Sequence, residues 1–390
     1  MISVPLCNTV MEEKMKKIIT SAILFLLTAG LLIGCSPASS FIEDTTEKPS
    51  GIVAPPDSND GPEFNDFALH SDSFFFSKGE YFYFFSYFLA EYLASHTEAE
   101  LAASNLDIKS GKSLHEQYYV DNDEKKISWY EVFRDVSVRY MEKILLVCEV
   151  AQAEESRHIY EAEQYRNDMT AYIKSLAKAE GMSIDQYVAK QYNGNVGLAE
   201  LQSIWQKEYI YNAYTDAKLK AINAAITAEE AEIYFESLVE QAGDDLSALP
   251  EKNTDPSRNI ICITFGADKA SADSMLAEFL AGEHTAEALQ ILADAGDYTV
   301  EKIKSCTEAG VDNVIGGWLF ADERELNDAA ILTLTNLGYC LFFWESEGEA
   351  QYIVTARKGL ADKQLNDWMA EIKEVLSIVI DENVLNSLNA

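Results

Sequence analysis

Residue types that do most enzymatic chemistry are scarce and scattered in this chain. Its five histidines are His70, His96, His115, His158 and His284. No two of them lie close in sequence, so the two-histidine helix of zinc hydrolases is absent. After Cys35 the cysteines are Cys148, Cys262, Cys306 and Cys340, and none forms a CxxC pair. Cys148 falls on an apolar helical face and reads as a small core residue. A chain of this size needs no disulfide to fold. Neither a GxSxG nor a Walker A sequence occurs in a supporting context. Asp121, Asp123 and Glu124 follow the opening of a calcium loop, but its glycine and closing glutamate are missing. Glu229, Glu230, Glu232 and Glu236 read as the solvated face of one helix, and His284 as a helix-end residue facing the dipole. No metal and no cofactor are expected.

The 390 residues suggest two or three domains. A hydrophobic share of 48% with 11% aromatics is enough to build cores. Lys and Arg total 30 against 65 Asp and Glu, a formal charge of −35. Phosphate binding needs clustered cations, so nucleic acid is excluded as a partner. Electrostatic docking on anionic lipid is excluded too, and any membrane attachment must be covalent or hydrophobic.

The first 34 residues read as an export address. Lys16 and Lys17 precede an apolar run from Ile18 to Ile33, too short for a comfortable span. Residues 1–10 add nothing to such a signal, so a start at Met11 or Met15 leaves it intact. Leu32-Ile33-Gly34-Cys35 resembles the lipobox of bacterial lipoproteins. That resemblance implies cleavage before Cys35, a lipid on its sulfur, and an extracytoplasmic chain anchored in the cell membrane. Residues 35–63 then form the lipidated Cys and a disordered tether. Five of the eight prolines (Pro37, Pro49, Pro55, Pro56 and Pro62) fall there among Ser, Thr, Asp and Glu.

Residues 64–248 read as a mostly helical domain. A short strand is expected within Phe67–Phe76, and a helix from Lys78 to Ser95. Eleven Phe or Tyr residues lie between Phe74 and Tyr92. Phe82, Phe85, Leu89 and Tyr92 form one stripe, while Tyr81, Phe84, Tyr87 and Phe88 spread apolar surface around the rest. A helix apolar on nearly all sides must be covered on most of them. What stays uncovered is a candidate cradle for unfolded polypeptide, with Tyr81, Phe84, Tyr87 and Phe88 as client-binding candidates. Further helices are expected at Ser128–Glu155, Ile159–Glu180, Ile184–Gln191 and Leu198–Ala225. Thr227-Ala-Glu-Glu230 is a capping box opening a helix from Ala228 to Gln241.

The order of these parts resembles the N-terminal half of the PrsA/SurA/trigger-factor foldases. The likeness is carried by Ser77-Lys-Gly-Glu80 leading into the aromatic helix and by the Trp129-Tyr130 start of the long helix. Glu180-Gly-Met-Ser-Ile-Asp-Gln-Tyr187 and Thr227-Ala-Glu-Glu-Ala-Glu-Ile-Tyr-Phe235 complete it. The resemblance implies a chaperone that serves unfolded exported proteins, with a homodimer allowed.

Residues 249–358 change character. Asn259–Phe265 reads as a buried strand, with helices at Ser271–Leu280 and Thr285–Ala295. Ala330–Thr335 and Gly338–Trp344 make a hairpin around Asn336-Leu337, and Gln351–Ala356 a further strand. Residues 359–390 supply a helix, Asp362–Leu376, and a strand, Ser377–Ile380, expected to pack back on the helical domain. The whole reads as an α+β protein, with a mainly antiparallel sheet in its smaller domain.

Strand, two helices, Gly316-Gly-Trp-Leu-Phe320 and then a hairpin opening Gly338-Tyr339-Cys340 resemble a parvulin-type peptidyl-prolyl isomerase over residues 257–346. Arg258-Asn259-Ile260 resembles the family's Arg-His-Ile. The resemblance places Asn259 and Cys340 where the family has its two histidines, with Cys306 near its Cys/Asp position. It offers Phe265, Leu276, Trp318, Phe320 and Phe342 as proline-pocket candidates. An X-Pro bond turns over a barrier of about 18–20 kcal/mol. A catalyst must favour the twisted amide over both planar forms, which takes a dry pocket and positioned donors. Asn259 is a donor, whereas a thiol at Cys340 is a poor one.

The reading is a membrane-anchored extracytoplasmic foldase or chaperone of isomerase ancestry, with catalysis weak or lost. The alternatives are an active parvulin-type isomerase and a non-catalytic solute-binding or surface-interaction lipoprotein.

Overall fold

The structure is a computed structural model that describes residues 67–120, 125–192, 194–243 and 252–388. The signal, Cys35, the tether and the Asp121–Glu124 run lie outside the described residues. No helix among the described residues is long and apolar enough to cross a membrane. Contacts divide the chain into two compact units. The first runs to Lys218 and resumes at Asp367; the second is Leu219–Asn366.

The first unit opens with an antiparallel hairpin, β1 (Phe67–His70) and β2 (Phe75–Ser77), closed by Ser71 N–H on the Phe74 carbonyl at 2.8 Å. Ser77 then caps α1 (Lys78–Ser95): its Oγ accepts from Glu80 N–H while Glu80 accepts from Ser77 N–H. The same reciprocal cap starts α2 (Glu98–Ala103) at Thr97. A hairpin absent from the sequence reading follows, β3 (Tyr118–Val120) with β4 (Lys126–Ser128). Ser128 and Glu131 cap α3 (Trp129–Ala153). Then come α4 (Arg157–Ala179), α5 (Ile184–Gln191) and α6 (Leu198–Ala225). The core forms where α1 meets α3: Phe85 packs tilted on Tyr130 and edge-on to Phe133, with centroids at 5.3 and 6.1 Å. Tyr81, Phe84, Trp129, Met141 and Leu145 are buried there. The aromatic helix is therefore a core helix, covered on most sides as its composition demands.

In the second unit, Thr227 caps α7 (Ala228–Ala242) with the box expected from its sequence. A four-stranded antiparallel sheet follows, in the order β6 (Val300–Cys306), β5 (Pro256–Gly266), β8 (Gly338–Ala350) and β7 (Ala329–Leu334). Pleating sends alternate residues to opposite faces. Ile261, Ile263, Phe265, Leu341 and Phe343 meet α8 (Lys269–Ala281) and α9 (Ala286–Ala295). Ile260, Cys262, Cys340, Phe342 and Trp344 face the other way and meet the short α10 (Asn313–Leu319). The β7–β8 hairpin forms as expected, and Gly338 is required in it. Its φ is +75°, and a Cβ there would lie 2.1 Å from the Gly266 carbonyl oxygen.

One predicted strand is a helix. Gln351–Ala356 begins α11 (Gln351–Val375) rather than pairing in a sheet. Tyr352, Ile353 and Ala356 are buried together against Ile226, Ala231 and Phe235, a helical spacing that outweighs the β-branched run. The short β9 (Val379–Ile380) then pairs antiparallel with β1, and α12 (Glu382–Leu385) closes the first unit's core with Val384 and Leu385.

Candidate functional site

The sequence points to two places, one in each unit. On the sheet face of the second unit, Cys262, Cys306, Cys340 and Phe342 form one cluster with Ile315 and Leu319, flanked by half-buried Trp318 and Phe320. Phe265 and Leu276 do not join them. They lie across the sheet among the residues under α8 and α9, because the pleat turns Phe265 away from Cys262. The five pocket candidates thus divide between two faces.

Asn259 is fully engaged with the sheet itself. Its Nδ2 donates to Ser346 Oγ at 2.9 Å and to the Glu347 carbonyl at 3.4 Å. Its Oδ1 accepts from Ser305 N–H at 2.8 Å. The side chain clips β5 to both neighbours at a bulge beside Ile260. Cys340 is 0% exposed, its sulfur 3.7 Å from Thr264 Oγ1 and 3.9 Å from the Gly338 carbonyl. Cys306 is likewise buried, and burial pushes its thiol up to about 11. Burial, reinforced by Cys340, pushes the Cys262 thiol up to about 12. Thiols held protonated in this way are poor nucleophiles.

Arg258, which nothing in its local sequence marks as a site residue, joins this face. Its guanidinium lies 3.8 Å from the Trp344 ring centroid and 4.9 Å from that of Phe320, and it donates to the Leu319 carbonyl. Beside it, the Trp318 indole Nε1 is buried with no acceptor. This face carries apolar surface, one cation over two aromatic rings and one unused N–H donor, and among the described residues it holds no paired acid and base.

In the first unit, the four client-binding candidates separate by depth. Tyr81 is 0% and Phe84 1% exposed, and both belong to the core. The Tyr81 hydroxyl meets that of Tyr130 at 3.3 Å, and Tyr130 donates to the Leu385 carbonyl. Their placement on a client surface is corrected: α3 covers the arc of α1 that carries them. Tyr87 and Phe88 are half-buried, with ring centroids 5.1 Å apart, and Phe88 lies edge-on to Tyr140 at 5.5 Å. Tyr83 and Tyr192 extend the same partly exposed aromatic surface at 5.8 Å. Among these rings Tyr140 donates to Glu208 Oε1 at 3.3 Å. Glu208 is half-buried, with enough protein around it that burial pushes its carboxyl up to about 7, against the opposing pull of the Tyr140 hydrogen bond. Nothing in the local sequence Trp205-Gln-Lys-Glu-Tyr209 marks this carboxylate as special.

No protein-family model and no curated protein matches the chain. Solved structures similar to it include PrsA from Bacillus subtilis, at 14% identity and a TM-score of 0.27, covering 70% of this chain and 97% of that one. Foldase protein PrsA from Streptococcus pneumoniae is 13% identical with a TM-score of 0.31, covering 69% and 97%. A SurA-like chaperone structure from Campylobacter jejuni is 10% identical with a TM-score of 0.24, covering 67% and 97%. The chain is similar to PrsA/SurA-like foldases in these comparisons, at TM-scores too low to bear on site or substrate.

Proposed function

We propose that this protein is an extracytoplasmic foldase-like chaperone, tethered through a lipid on Cys35, that binds unfolded exported polypeptides and has weak or no isomerase activity. The observation that carries the reading is the group of partly exposed rings Tyr83, Tyr87, Phe88, Tyr140 and Tyr192, which meet one another across α1, α3 and the end of α5. Such a surface suits greasy, irregular segments, since aromatic rings supply large contact area at low conformational cost. The full chain carrying Cys35→Ser, so that it stays unlipidated, is expected to suppress aggregation of a denatured client. Tyr87→Ser with Phe88→Ser is expected to remove most of that effect without unfolding the protein. An unchanged aggregation curve at excess protein sinks the reading.

An active isomerase is the second reading, favoured by one observation: the Trp318 Nε1 donor, buried without an acceptor beside Phe342. Exchange NMR on X-Pro peptides tests it. Acceleration that Trp318→Phe abolishes supports catalysis; exchange at the spontaneous rate removes it.

A further inference from the structure

The tyrosines around Glu208 come from separate parts of the chain. Tyr83 and Tyr87 stand on α1, Tyr140 on α3, Tyr165 on α4, and Tyr192 follows α5. Tyr140 donates to Glu208 Oε1 at 3.3 Å, Phe88 links Tyr140 to Tyr87 at centroid distances of 5.5 and 5.1 Å, and Tyr83 lies 5.8 Å from Tyr192. Consistent with that placement, burial first and the Glu208 charge among the further causes raise the hydroxyl pKa of all five. All five are half-buried, Tyr83, Tyr140, Tyr165 and Tyr192 with one side packed on the core.

Among the described residues no Lys, Arg or His pairs with Glu208, and its one hydrogen bond is the 3.3 Å contact from Tyr140. The adjacent Lys207 is no help, since successive helix residues point about 100° apart. Lys207 turns to Glu80, 2.6 Å away, and to the Phe75 carbonyl. A desolvated carboxylate held by a single hydroxyl and no cation is unfavourable, and a cation delivered to it relieves that penalty. Tyrosine faces attract the same cation through their quadrupoles. The formal charge of −35 raises the local concentration of basic segments around the whole protein.

We propose that Glu208 and its tyrosines form a receptor for one Lys or Arg side chain of a bound polypeptide. This rests on the reading of the protein as a binder of unfolded chains, and names the chemistry of one subsite within it. Apolar neighbours of that side chain then lie against Tyr87 and Phe88. Segments in which a basic residue is flanked by aromatic or aliphatic ones are the preferred clients.

The test titrates the full Cys35→Ser chain with N-acetyl-lysine methylamide and, separately, with N-acetyl-norleucine methylamide, following tyrosine ring resonances by NMR. The lysine compound is expected to shift the cluster's rings and the norleucine compound to leave them in place. Glu208→Gln is expected to weaken lysine binding by roughly fivefold to thirtyfold. Its melting temperature, unchanged or raised, shows that the fold is intact. Equal shifts from the two compounds, or full lysine binding by Glu208→Gln, overturn the proposal. Aggregation suppression is measured on the same samples and separates the two readings. Suppression without lysine preference leaves the chaperone and removes the receptor, whereas lysine binding without suppression does the reverse.

Discussion

Glu80 and Lys207 form an ion pair at 2.6 Å with exposures of only 1% and 4%. The second Glu80 oxygen completes the N-terminal cap of α1 by accepting from Ser77 N–H at 2.6 Å. Lys207 also donates to the Phe75 carbonyl and lies 4.0 Å from the Phe76 ring centroid. One buried carboxylate thus ties the start of α1, the end of β2 and the middle of α6. Every charge in this network has partners, the condition under which a buried pair is tolerated.

Removing one member leaves the other charged and alone in the core. Lys207→Met is expected to destabilise the first unit by about 3–5 kcal/mol. Glu80→Gln added to it should recover part of that loss, since glutamine still closes the cap. Denaturant melts of the single and double variants check this. A single-variant loss below about 1 kcal/mol, typical of an exposed pair, would contradict it.

Glu208 makes stability depend on pH. Its carboxyl is raised in the folded state from an ordinary 4.5 to about 7. A raised folded value means the native state holds the proton more tightly. The resulting stabilisation is complete below about pH 4.5 and is lost as pH rises through 7. Tyr140 touches Glu208 directly, and the Glu208 charge also acts on the hydroxyls of Tyr83, Tyr87, Tyr165 and Tyr192, with Glu91 acting on Tyr87 from α1. Glu208→Gln is expected to gain roughly 1–3 kcal/mol over wild type at pH 8 and little at pH 5. Parallel melts at both pH values would falsify the assignment.

Asn259 has a structural role here, so Asn259→Ala should lower stability by about 1–3 kcal/mol by leaving Ser305 N–H without its acceptor. X-Pro exchange should be unaffected once the protein is folded. A tenfold loss of exchange rate with an unshifted melt would instead make Asn259 catalytic.

Gly338→Ala forces a methyl against the Gly266 carbonyl at a positive φ. The strained backbone alone is worth about 1–3 kcal/mol, and the clash adds to it. Loss of the second unit's thermal transition, with the first unit's retained, is the expected outcome.

Much of the helical part was legible because its signals are local. The box at Thr227 and Glu230 predicts where α7 begins, and Ser77 with Glu80 marks the start of α1. The sheet was less so. β6 reads Val-Glu-Lys-Ile-Lys-Ser-Cys, an edge strand whose charged side chains hide its alternation. Gln351–Ala356 has strand-like residues but takes its structure from Phe235 and Ala231, contacts distant in sequence. The site suffered from the same limit. An all-round apolar helix does not reveal which arc α3 covers, so Tyr81 and Phe84 were indistinguishable from Tyr87 and Phe88. Asn259 reads as a free donor until the bulge brings Ser305 and Ser346 to it.

The pairing of β1 with β9 has a bearing on how the protein is made. Leu69 aligns with Ile380, and Asp381 N–H closes on the Ala68 carbonyl at 3.0 Å. The earliest described strand therefore waits for a partner segment that follows the whole of Leu219–Asn366 in the chain. A unit completed only across an intervening one keeps that strand edge open until the later segment has been made. An unpaired strand edge on an unfinished chain is a site of misassociation, so this first unit depends on a long-range closure to protect it.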